Sequence, residues 1–141
     1  MAYRRAATLE PERSQPYVKL GDLYMNMGEY RLAAENIDRA LQLEPDDHIL
    51  YTKMGVLFGR AGDTAHAFDY FRRSMEINPG YAAGYLNWGN VLLVNGDTLE
   101  AINKYGTAKQ YDRLLIEPYY NLAVLYIRLG DLESARRNVD S

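Results

Sequence analysis

Four polar residues set 34 positions apart, Lys19, Lys53, Asn87 and Asn121, carry the clearest chemistry in this sequence. Three positions after them stand Asp22, Val56, Asn90 and Val124, and four beyond those Asn26, Arg60, Val94 and Arg128. Four positions before them are Gln15, Ile49, Ala83 and Glu117. Steps of four, three and four place all of these on one face of an α-helix. An asparagine amide both donates and accepts, as a peptide group does. Asn87, Asn90 and Asn121 are therefore candidates to bond the backbone of an extended peptide. Lys19, Lys53 and Arg60 would draw an acidic side chain or a carboxylate towards it. On this face Lys19, Lys53, Arg60 and Arg128 outnumber Asp22 and Glu117, although the whole chain carries a net charge of -3. The chemistry on offer is recognition.

The sequence holds no arrangement that would make or break a bond. His48 and His66 are the only histidines and have neither cysteine nor paired carboxylates for company. His48, next to Asp46 and Asp47, reads instead as the start of a helix. No Ser-His-Asp set and no phosphate-cradling glycine motif is present, so we expect no catalytic residue, cofactor or metal. The acidic balance argues against nucleic acid, which calls for a concentrated basic face. Most of the 13 tyrosines fall at positions expected to be buried and are read as core. The chain has no cysteine and no apolar run of about 18 residues, the length that crosses a bilayer. We therefore expect no disulfide and no membrane insertion, and a cytoplasmic setting.

The elements that must position these residues are written as a repeat. Starting at Ser14, units run over 14–47, 48–81, 82–115 and 116–141, the last one truncated. The fourth place of each is Tyr17, Tyr51, Tyr85 and Tyr119, and the eighth is Gly21, Gly55, Gly89 and Ala123. Gly28, Gly62, Gly96 and Gly130 recur in step, as do Ala33, Ala67, Ala101 and Ala135. The 24th place holds Ile37, Phe71, Tyr105 and Val139. Within a unit, Tyr17, Leu20, Leu23, Tyr24 and Met27 have the spacing of an amphipathic helix, and Leu32, Ala33, Ile37, Ala40 and Leu41 repeat it. Gly28 followed by Glu29 suits the end of one helix and the beginning of the next. Each unit is predicted to be a helix hairpin whose neighbours bury its open faces.

This pattern resembles the tetratricopeptide repeat family over essentially the whole chain. The resemblance implies an all-α fold, a right-handed α-solenoid of antiparallel helix hairpins forming one superhelical domain. It also implies that the first helices line a concave groove where a protein or peptide is held. The groove residues would be Lys19, Asp22, Asn26, Lys53, Arg60, Asn87, Asn90, Asn121 and Arg128, with the asparagines resembling the ladders of some superhelical members. The clamp that grips chaperone tails is not implied. In one register Val18 and Asp22 stand where lysine and asparagine are needed, in the other Thr52 and Val56 do, and only Asn87 fits. Two alternatives remain beside a peptide-binding scaffold: the recognition arm of a larger enzyme such as a glycosyltransferase, and a self-assembly module.

Residues 1–13 align with the second half of a second helix, and the fourth unit stops inside its own second helix. We expect a piece of a longer array, with Leu122, Leu125, Tyr126 and Val139 on an apolar end face that promotes end-to-end homo-oligomers. The third unit departs from the others at Trp88, Gly106 and Arg113, the last where Pro45 and Pro79 stand. A longer or differently angled junction is expected between units three and four.

Overall fold

A computed structural model of the chain describes residues 13–140. The half-hairpin expected over 1–13 lies, apart from Arg13, outside the described residues. The helices are α1 (Ser14–Asn26), α2 (Tyr30–Leu43), α3 (His48–Arg60), α4 (Thr64–Ile77), α5 (Ala82–Val94), α6 (Thr98–Tyr111), α7 (Ile116–Arg128) and α8 (Leu132–Asp140). Among the described residues there is no strand. They form two compact units, one ending at Asn78 and the other beginning at Pro79. In the first, α1 packs on α2, α2 on α3 and α3 on α4; in the second, α5 to α8 pack in the same order.

Every hairpin turns in the same way. Gly28, Gly62, Gly96 and Gly130 have φ of 76, 88, 89 and 80°, a left-handed conformation that costs glycine little. The chain then closes a double bond over the helix end: Gly28 N donates to Met25 O at 3.0 Å and Glu29 N to Tyr24 O at 2.9 Å. Those bonds satisfy carbonyls that the last turn would leave bare. Acidic residues open several of the helices that follow. Asp63 accepts from His66 N at 3.2 Å, Asp131 from Ser134 N at 3.1 Å, and Asp47 from Ile49 N at 2.9 Å, so α3 begins at His48.

Close approach of the two helices depends on the eighth place. A Cβ built on Gly55 would lie 2.7 Å from the Phe71 ring, and one on Gly89 would lie 2.6 Å from the Tyr105 ring. Gly21 faces Ile37 in the same manner. Ile37, Phe71 and Tyr105 are fully buried, as are Ala33, Ala67 and Ala101. The second hairpin carries a polar pair in its core, Thr52 and Ser74. Ser74, where the others have Ala40 and Ala108, is fully buried and donates to His48 O at 2.8 Å, while Thr52 meets its hydroxyl at 2.7 Å. With both hydroxyls partnered, the burial is tolerated.

One expectation is narrowed and one is corrected. The connection from α6 to α7 (112–115) has the same four residues as those at 44–47 and 78–81, so the junction is not longer. Asp112 leaves α6 in the extended conformation, and Pro118 sits buried in the first turn of α7, where a proline needs no helical donor. Leu122 and Leu125 do not form an exposed end face. They are 3% and 2% exposed, occupying the places at which Met54 and Leu57 are buried in the second hairpin. Tyr126 is half-buried. The Val139 side chain lies outside the described residues.

Candidate functional site

In the first unit the polar face is bound up in an ion pair. Lys53, on α3, places Nζ 3.0 and 3.1 Å from the two carboxylate oxygens of Asp22 on α1. The side chains are 30% and 41% exposed, so the pair sits at the surface of the face and is screened. Lys19, Asn26 and Arg60 are exposed around it, and Val56 is half-buried.

The same two places in the second unit hold a neutral network. Asn121 on α7 donates to Asn90 Oδ1 on α5 at 3.4 Å, the counterpart of the Lys53–Asp22 pair one hairpin pair later. The Tyr105 hydroxyl donates to the same oxygen at 2.6 Å. Its ring lies in the core against Gly89, and the absence of a Cβ there lets the phenol pass α5 and deliver its hydroxyl at Asn90. Burial pushes the Tyr105 pKa up, while a hydrogen bond from Asn121 opposes the rise. The phenol is therefore a neutral donor at physiological pH.

Around this network is a cleft of about 290 Å³ between α5 and α7. Leu93, Val124 and Tyr120 supply apolar wall, and Arg128, exposed, supplies the cation at its edge. Tyr120 is 69% exposed, an aromatic surface free to meet a ligand. Asn87 takes no part. Its amide donates to Ala83 O within its own helix at 2.9 Å.

Asn90, Asn121 and Arg128 thus come together, Lys53 and Asp22 come together, and Lys19, Asn26 and Arg60 stand on the first unit's face. The residue that sequence reasoning assigned only to the core is Tyr105. Its signal was present: a hydroxyl at a place otherwise filled by Ile37, Phe71 and Val139, in the unit with asparagine at place nine. Among the described residues no group of three His, Cys, Asp or Glu is placed to hold a metal ion, and no helix is long and apolar enough to cross a membrane.

Family models named tetratricopeptide repeat match residues 18–82 and 116–138. The chain belongs to the tetratricopeptide-repeat family. Tetratricopeptide repeats are protein-interaction scaffolds, and the all-α array of helix hairpins here is of that kind. No curated protein matches the sequence. Among solved structures, MamA is similar with a TM-score of 0.78 at 23% identity, covering 97% of this chain and 80% of MamA. MamA 41-end from Desulfovibrio magneticus RS-1 gives 0.76 at 19%, covering 98% and 78%. YrrB, a TPR protein with an unusual peptide-binding site, gives 0.67 at 22%, covering 98% and 71%. Identities this low speak to the fold.

Proposed function

We propose that this tetratricopeptide-repeat chain holds an extended peptide segment against its first-helix face, with the α5–α7 cleft as the principal seat. One observation carries the reading: a fully buried tyrosine sends its only polar atom into that cleft, where two asparagine amides meet it. A core aromatic gains nothing in packing from such a hydroxyl, whereas a polar floor between apolar walls is what a peptide backbone needs. In its spare valences the network offers N–H donors on both asparagine amides and the Asn121 Oδ1 acceptor, the complement of a peptide unit. Arg128 at the edge favours an acidic residue or a carboxylate in the segment. The first unit carries a polar face of its own, with Lys19, Asn26 and Arg60 beside the Lys53–Asp22 pair. No bond is made or broken. The peptide-binding site of YrrB supports the reading by analogy of fold.

The test begins with peptides selected from a random display library on the intact chain and measured by fluorescence anisotropy. Asn90→Ala with Asn121→Ala is expected to weaken a selected peptide roughly tenfold or more. Arg128→Ala is expected to weaken acidic peptides with a steeper response to salt. Undiminished binding by the double variant contradicts the proposal. A concentration-dependent rise in sedimentation rate, with no peptide selected, would favour self-assembly instead.

A further inference from the structure

Three departures of the third repeat from its neighbours meet in a second cleft. Gly106 stands where the first two repeats carry Asp38 and Arg72, and Arg113 where they carry Pro45 and Pro79. Lys109 replaces Leu41 and Met75, which are 8% and 9% exposed. With Gln110, Leu114 and Tyr119 these residues line a cavity of about 680 Å³ where α6 ends and α7 begins. Among the described residues it shares no lining residue with the α5–α7 cleft. Gly106 opens it: nothing lies within 4 Å of the point where its Cβ would be.

The lining is cationic and partly fixed. Lys109 Nζ donates to Asn138 Oδ1 at 2.8 Å and sits 4.8 Å from the centre of the Tyr119 ring. Asn138 is 7% exposed and anchored to Ser134 O at 2.8 Å, so the ammonium is held in place. Lys109 itself is half-buried, so its ammonium is held at the cavity wall and still open to an anionic partner. Arg113 is exposed, and among the described residues no carboxylate pairs with it. Among the described residues no acidic side chain lines the cavity, and Leu114, 89% exposed, forms an apolar lip. A held ammonium, a guanidinium fork and an exposed leucine complement an oxyanion set beside an apolar side chain.

We propose that this cleft is a second binding site, taking a peptide segment that carries a carboxylate or phosphate group next to an apolar residue. The two oxyanions share the same recognition by Lys109 and Arg113, and Leu114 with the Tyr119 ring takes the apolar neighbour. The third repeat gives up a closing proline, a core apolar residue and an exposed charged helix side chain together, and all three changes act on one cavity.

The experiment uses the full chain and three fluorescent probes: a Glu-Leu-Glu peptide, the same peptide with phosphoserine for glutamate, and a Lys-Leu-Lys peptide. At least one anionic probe is expected to bind and the lysine probe not to; the preferred anion identifies the source of the charge. Arg113→Pro restores the residue of the first two repeats, and Asp112, at φ -143° and ψ 99°, already has the extended conformation that precedes a proline. It is expected to weaken binding roughly tenfold. Gly106→Glu fills the cavity with a better helix former of the wrong charge, and is expected to abolish binding while helical circular dichroism is retained. Asn121→Ala is expected to leave these probes unaffected. Failure of both anionic probes, equal binding of the lysine probe, undiminished binding by Arg113→Pro and Gly106→Glu, or an equal loss with Asn121→Ala would each overturn the proposal.

Discussion

The α1–α3 face and the α5–α7 face use the same two places of the repeat for opposite ends. In the first, Lys53 and Asp22 close on each other as ions, and Ile37, packed against Gly21 beneath α1, offers only an alkyl chain. In the second, Asn121 and Asn90 leave spare amide valences and Tyr105 adds a hydroxyl from below. One backbone frame thus presents a satisfied surface in one unit and a polar-floored cleft in the other. The difference teaches that the scaffold is set by the glycine, alanine and aromatic places, while recognition is set by what rides on them.

The frame itself should respond most strongly. Phe71→Ala and Tyr105→Ala each remove a fully buried ring and should cost about 3–5 kcal/mol in chemical denaturation. If only one of the two does so, the units are not built alike. Gly55→Ala and Gly89→Ala should follow at about 1–3 kcal/mol, since each new Cβ meets a ring.

Tyr105→Phe separates frame from site. It keeps the ring and should cost about 0.5–1.5 kcal/mol for the lost hydrogen bond, yet weaken a peptide held in the cleft. It should also change the alkaline limb of stability. Both folded and unfolded phenol are neutral below the ordinary pKa of 10.0; above it the unfolded one ionises first, because burial holds the folded pKa higher. That share of stability is complete below the ordinary pKa and is lost as pH climbs towards the folded one. Unfolding followed against pH should therefore show a flatter decline in the variant. A residual slope should remain from Tyr70 and Tyr85, whose pKa values burial also raises.

The smallest effect compares the two pairs directly. A double-mutant cycle on Lys53 and Asp22 should give a coupling of about 0.2–1 kcal/mol that shrinks with salt. A cycle on Asn90 and Asn121 should not respond to salt, since neither group is charged.

Much of this was legible from residue types. Glycine at the turn has one reason to recur, and φ is positive at all four such places. Glycine or alanine opposite an aromatic or branched residue told of close helix approach. What could not be read was which polar groups spend their valences on each other. Lys53 reaches Asp22 across 31 residues, so that pairing depends on how hairpins stack and not on periodicity along one helix. Asn87 turns back to Ala83 O, a choice of side-chain rotamer on which a one-dimensional pattern is silent. Tyr105 was read as core because most of its atoms are core; only its last atom belongs to the site.

The central claim is that α5 and α7 carry recognition. Titrating a selected peptide into isotope-labelled protein and following backbone amide and asparagine side-chain resonances tests it most directly. The account predicts that the largest shifts fall on the Asn90 and Asn121 side-chain amides and on the backbone of α5 and α7, and that Tyr105→Phe diminishes them. Shifts confined to the second helices, with the Asn90 and Asn121 amides unmoved at saturation, would contradict it.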